Sequence, residues 1–298
     1  VVMNAKYWDN KVEWLKAIRT GWFNVDYIEF LVEKVWKIHK PVNIIDFGCG
    51  FGYVGLILLP ILPKGSTYTG IDISDNLLNE AKNIFANSDY KTTFVKEDLN
   101  NYIPNKKYDI AISQAVLRHI PNAKFILEKM IQSVASGGLV ICMETDMEME
   151  KAGQYFSGLD YSELGKIPLM QKMWKKELNS GGRDYRFGIK IPSLMQEFGL
   201  HNVRVRMSDS VYFINPYGDK SEHSKQYDAI TSAWGWNKKL SEEEKKAYIK
   251  YLEDKGLDGQ EAEMYVSSEQ KISEYVMNNK DNAFIIKAPC TLISFGIK

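Results

Sequence analysis

Three glycines at alternate positions, Gly48, Gly50 and Gly52, follow directly on the short apolar run Asn43-Ile44-Ile45-Asp46-Phe47. They lead into a second apolar run, Val54 to Leu59, that stops at Pro60. A strand that breaks into glycines and restarts as a helix forms a cradle of nucleotide size, with backbone N–H groups at its mouth. Glycine serves there because the chain must turn tightly and a ligand must approach the backbone closely. In a dinucleotide turn the third glycine stands five residues after the first. Here that position is Tyr53, and the glycine arrives one residue early, at Gly52. Asp46, two residues before Gly48, would repel a phosphate and attract a positive charge. The turn therefore suits a cationic nucleoside better than a pyrophosphate.

S-adenosylmethionine (SAM) has that character, with a sulfonium, an ammonium and no phosphate. The segment closely resembles the first motif of class I SAM-dependent methyltransferases, of the D-x-G-x-G-x-G type. The other reading of the segment alone is a glycine-rich turn in some different α/β protein. Cys49 and Phe51 are variations within the turn. Cys49 reads either as a nucleophile or, more simply, as a small residue that fits there, beside the backbone of Gly48 and Gly50.

A second strand, Gly65 to Ile73, carries Asp72 at its end, 24 residues after Gly48. A nucleotide fold needs a carboxylate near that spacing to accept bonds from ribose hydroxyls. A capping role for Asp72 is the weaker alternative, because Ser74 and Asp75 already serve as caps. The third strand, Thr93-Phe94-Val95, leads to Asp98 and Leu99. The resemblance implies that Asp98 meets the adenine amino group, that Leu99 packs on the ring, and that Ile73 lies beside Asp72 in the cofactor site.

The fourth strand, Tyr108 to Ser113, runs on into Gln114-Ala115-Val116-Leu117-Arg118-His119. Ligands sit at the carboxyl edge of open α/β sheets, so Ser113 and Gln114 are cofactor-site candidates. His119 is either a general base or a histidine hydrogen-bonded to backbone near the cofactor. The fifth strand, Leu139 to Glu144, nominates Glu144 as a catalytic carboxylate, with Asp146 beside it for substrate contact. Residues 4–39 read as helical, and Tyr7 and Trp8 are aromatics that line a pocket or form the apolar side of a cap. The resemblance favours the pocket, with Tyr7 placed at the cofactor.

The fold expected is α/β: a Rossmann-like three-layer sandwich, with a mostly parallel seven-stranded sheet, an antiparallel closing strand and helical lid insertions. The expected boundaries are an N-terminal helical cap at 1–40, a SAM-binding core at 41–218 interrupted at about 147–183, a helical insertion at 219–281 and closing strands at 282–298. Two β-rich runs, His201 to Ile214 and Asn282 to Lys298, read as the closing antiparallel pair. The insertions read as lids, with a homodimer surface as the alternative. Ser241-Glu242-Glu243-Glu244 is a capping box, and a further helix begins near Asp258.

Lys+Arg and Asp+Glu number 38 each, and this balance disfavours a protein built to grip a polyanion. No apolar stretch is long enough for a membrane span. Three distant cysteines without a C-x-x-C spacing fit reduced thiols in the cytoplasm. Four scattered histidines give no metal spacing. The resemblance implies direct methyl transfer from SAM, leaving S-adenosylhomocysteine, to an O, N or C atom of a small-molecule acceptor. The branch it points to includes the ubiquinone- and menaquinone-biosynthesis enzymes. A protein, peptide or RNA methyltransferase and a non-catalytic SAM-binding regulator are the alternatives. Nucleic acid is disfavoured by the neutral charge and by Ser113-Gln114-Ala115-Val116 where amino-directed enzymes carry Asn-Pro-Pro-Tyr.

Overall fold

The computed structural model describes residues 5–19, 22–164 and 166–298. The chain divides into two compact units, one made of Val1–Asp146, Tyr185–Asp209 and Cys290–Lys298, the other of Met147–Asp184 and Ser210–Pro289. In chain order the strands of the described residues are β1 (Asn43–Phe47), β2 (Thr67–Asp72), β3 (Lys91–Lys96), β4 (Tyr108–Gln114), β5 (Val134–Thr145), β6 (Gln154–Phe156), β7 (His201–Met207), β8 (Tyr212–Ile214), β9 (Ile285–Lys287) and β10 (Thr291–Ile297).

The first unit is built on a seven-stranded sheet of order β3-β2-β1-β4-β5-β10-β7. β1 to β5 pair in parallel, and β10 runs antiparallel to both of its neighbours. This is the Rossmann-like α/β sheet with one reversed strand that the sequence led us to expect. Its central strands read as continuous apolar runs because helices cover both faces of a parallel sheet. Strand alternation sends Ile45 and Phe47 to one face, into a core with Ile126, Leu127, Met130, Ile191 and Met195 from the helices Ala123–Ser133 and Phe187–Glu197. Ile44, Ile45 and Phe47 are wholly buried. Each such side chain contributes about 1.5–3 kcal/mol, which offsets the cost of holding Asp46 among them.

The N-terminal region is less continuous than its helical pattern implies. Helices Ala5–Asp9, Val12–Arg19 and Val25–Phe30 are separate, and the last continues as a wide turn, Leu31–Val35. Asn4, where the expected helical stretch begins, lies outside the described residues. Asp9 ties the first helix down, accepting from the Ser74 hydroxyl at 2.6 Å and from the Asn76 backbone N–H at 3.1 Å.

The second unit carries a three-stranded antiparallel sheet of order β6-β9-β8 and four longer helices, Ile167–Asn179, Lys220–Trp234, Glu242–Asp254 and Gly259–Asn278. The Ser241–Glu244 capping box and the Asp258 start are present as expected. One expectation needs correction. The closing pair of the main sheet is only 201–207 with 291–297; Tyr212–Ile214 and Ile285–Lys287 pair in the small sheet instead. The break falls at Pro289-Cys290, where Pro289 has no N–H to donate to a ladder and Cys290 takes a left-handed φ of 51°.

Candidate active site

The carboxyl ends of β1, β2 and β4, with the segment after β3, open into a cleft in the first unit. Gly48 turns the chain at the end of β1 with φ 77°. A Cβ there would come within 2.6 Å of Val116, so the backbone passes too close to the opposite wall for any side chain. The N–H groups of Gly48 and Cys49 both donate to the Ile71 carbonyl, at 2.8 and 2.9 Å, which locks the turn to β2. Gly70 completes the fit, because a Cβ on it would meet the Cys49 sulfur at 2.6 Å.

Asp46, Gly48, Cys49, Gly50, Asp72, Ile73, Asp98, Leu99, Gln114 and His119 all line this cleft, so the structure brings together most of the residues nominated from sequence. Asp46 is wholly buried, and its Oδ2 accepts from the Tyr68 hydroxyl. Its Oδ1 has no hydrogen-bond partner. Burial pushes this carboxyl up to about 7. Asp72 accepts the Gly50 N–H at 2.8 Å on one oxygen and the Ser74 N–H at 2.9 Å on the other, and burial again raises its pKa. Each oxygen keeps a further lone pair for a hydroxyl donor. Asp98 uses Oδ1 to accept from the Asn100 backbone and side chain, both at 2.8 Å. Burial, with Asp72 next, drives the Cys49 thiol well above its usual range. That removes the thiolate a nucleophile needs, and Cys49 is the small residue that fits the turn.

Three nominated residues lie elsewhere. Ser113 is fully buried inside β4, while Gln114 next to it faces the cleft; neighbours on a strand point to opposite faces. Tyr7 does not line the cleft, and Trp8 does. Adjacent residues of the helix Ala5–Asp9 diverge by about 100°, so only one of the two rings faces in. Trp8 meets the His119 ring edge-on at 5.3 Å.

Glu144 is the larger correction. It is fully buried and outside the cleft lining, and its Oε1 accepts the N–H groups of Val116 and Leu117, both at 2.7 Å. Ala115, just before them, holds φ 55°, a conformation that costs a non-glycine residue about 1–2 kcal/mol. Glu144 thus clamps the strained turn that carries Val116 and His119 into the cleft wall. Asp146 is buried as well, paired with Arg186 at 3.0 Å. Glu144→Ala leaves two N–H groups without an acceptor and is expected to cost about 2–4 kcal/mol of stability, with Glu144→Gln recovering part. Denaturant unfolding checks this. A variant of native stability that loses only turnover would restore the catalytic reading.

Sequence reasoning missed Arg19 and Tyr68. Arg19 lines the cleft with its guanidinium 5.0 Å from the Trp22 ring, at the end of an amphipathic helix where a basic residue reads as an ordinary cap. Tyr68 reaches Asp46 because Tyr68 pairs with Ile44, on the same face of the sheet. His119 accepts from Arg118 Nε on its Nε2 at 3.2 Å.

The donor set fits a cationic nucleoside on the structure's own terms. The buried Asp46 Oδ1 and Gln114 Nε2 both lack partners while their residues line the cleft, and an uncompensated carboxylate in a dry wall favours a positive ligand group. Among the described residues no helix is long and apolar enough to cross a membrane.

Comparison with known proteins matches residues 38–182 to a methyltransferase domain family. A ubiquinone biosynthesis O-methyltransferase of Rickettsia canadensis is 25% identical over 175 residues, 53% of this chain and 72% of that protein. A malonyl-[acyl-carrier protein] O-methyltransferase of Ilyobacter polytropus is 30% identical over 99 residues, 33% of this chain and 38% of that protein. A solved phosphoethanolamine N-methyltransferase of Haemonchus contortus superposes with a TM-score of 0.48 at 13% identity, covering 92% of this chain and 52% of that one. The domain match spans the glycine turn and all three acidic strand ends. Residues 38–182 thus match a methyltransferase domain, and their glycine turn and acidic strand ends resemble those of the class I S-adenosylmethionine-dependent methyltransferases.

Proposed function

We propose that the cleft transfers a methyl group from SAM to an oxygen atom of a small-molecule acceptor. The observation that carries this reading is the unpartnered, buried Asp46 oxygen in the wall of a cleft with two further carboxylates, Asp72 and Asp98. The choice of oxygen is supported by the relatives named as O-methyltransferases. SAM, when bound, supplies a methyl already activated by a positive sulfur. Asp46 holds the ammonium end, Asp72 accepts from the ribose hydroxyls, Asp98 Oδ2 accepts from the adenine amino group and Leu99 packs on the ring. Gly48, Cys49, Gly50 and Ile73 shape the backbone cradle, and Gln114 donates from Nε2. Such a site contributes mainly positioning and water exclusion. His119 takes the acceptor's proton only when Arg118 releases its Nε2; otherwise it orients Trp8 over the cleft.

The test is release of S-adenosylhomocysteine with a panel of hydroxyl-bearing acceptors, with the methylated product identified by mass. Release with amines alone would move the reading to nitrogen, and none with any acceptor would favour a SAM-binding regulator.

A pH dependence follows. A cation binds the ionised Asp46, whose free-state pKa is about 7. Below that pH a proton must leave before the pair forms, so SAM affinity falls by up to about tenfold per pH unit and levels off above it. Titration from roughly pH 5.5 to 8 checks this. Asp46→Asn should bind weakly with a flat profile, and a flat profile in the wild type would remove Asp46 from the ammonium site.

A further inference from the structure

The second unit contains a small, open pocket that the methyl-transfer reading does not use. Its walls include Lys151, Gln154, Lys166, Trp236, Glu269 and Ile272. We propose that this pocket binds the carboxylate group of a small molecule, held between Lys151 and Lys166.

The charges set the sign of the ligand. Lys166 is largely buried and pairs with Glu269 at 2.5 Å, with its ammonium 5.2 Å from the Tyr265 ring. Behind the pocket Lys287 pairs with Glu150 Oε1 at 3.1 Å, and Trp234 Nε1 donates to the same oxygen at 2.5 Å. Lys151 has only a distant approach to Glu150, 4.0 Å from Oε2, and that oxygen lacks a hydrogen-bond partner. Three lysines thus face two glutamates, leaving one positive charge in excess at a partly desolvated wall. Burial, and then Lys151, push the Lys166 pKa down, while Glu269 opposes them. A monoanion between the two ammonium groups relieves that repulsion.

The geometry favours the same ligand. The pocket lies at the first turn of the 13-residue helix Ile167–Asn179, whose N-terminal end carries partial positive charge. Gln154 adds an amide beside it. The Trp236 ring and Ile272 form an apolar side for the carbon chain of the ligand. One excess charge matches a carboxylate better than a phosphate dianion.

Nuclear magnetic resonance of protein labelled with ¹³C at lysine Cε tests the site. Sodium propionate is titrated against sodium chloride at matched ionic strength. The expected result is a saturable shift of the Lys151 and Lys166 signals with propionate only, and a rise in the Lys166 titration midpoint. Lys151→Met should lose both effects and Lys151→Arg should recover them, in protein whose melting is unchanged. Equal shifts with chloride would reduce the site to charge screening and overturn the proposal. Saturation by inorganic phosphate and not by propionate would overturn the carboxylate assignment. S-adenosylhomocysteine, which also carries a carboxylate, is run alone and should leave Lys166 unmoved; a shift there would make the pocket a cofactor contact and not a separate site.

Discussion

Asp72→Ala is expected to lower affinity for S-adenosylmethionine about 100- to 1000-fold. The carboxylate sits at the end of β2 and is 9% exposed, with both oxygens already fixed by the N–H groups of Gly50 and Ser74. Its remaining lone pairs therefore point from a rigid frame. Two charged hydrogen bonds to ribose hydroxyls are worth about 1.5–3 kcal/mol each. The alanine also frees the Gly50 N–H, which loosens the glycine turn that must lie against the ligand. Asp72→Asn keeps the shape and should fall between the two. Affinity is read by direct titration, and unchanged affinity in Asp72→Ala would detach the nucleoside from β2.

Lys287→Met is expected to destabilise the second unit by about 3–5 kcal/mol. Lys287 is fully buried on β9, where its ammonium meets Glu150 Oε1 and the Glu150 carbonyl. Burial alone would push the Glu150 carboxyl up, but Lys151, Lys287 and Trp234 outweigh it and hold the group at about 2. A depressed carboxylate pKa stabilises the fold above the unfolded value and loses that contribution as the pH falls through the folded one. The wild type should therefore lose this stability between about pH 4.5 and 2. In Lys287→Met the closer of the two ammonium partners is gone, and the Glu150 pKa rises. The variant's deficit should then shrink as the pH is lowered towards 4.5 and Glu150 takes up a proton. Denaturant unfolding followed by the fluorescence of Trp234 and Trp236 at neutral and mildly acidic pH reads both effects. A deficit that grows on acidification would contradict the ion-pair account.

The cofactor end of the cleft was legible because its logic is local. A parallel sheet gathers its carboxyl ends on one edge, so Asp46, Asp72 and Asp98, each at or just after a strand end, converge without any knowledge of long-range packing. What the sequence concealed depended on register and backbone conformation. Whether Ser113 or Gln114 faces inward follows from the pleat, which a run of apolar residues buried on both faces does not reveal. Glu144 looks like a catalytic acid from type and position. Its structural duty comes from the left-handed Ala115 at the end of the neighbouring strand, which no residue pattern announces. The Tyr68–Asp46 bond required the β1–β2 register. The strands of three residues that form the small sheet are too short to separate from the longer runs beside them.

Calorimetric titration of the wild-type chain with S-adenosylhomocysteine, followed by displacement with S-adenosylmethionine, tests the central claim most directly. The structure predicts one saturable site per chain in the micromolar range, shared by both ligands. Absence of binding by either ligand, in protein with native melting and circular dichroism, would contradict the assignment of the cleft.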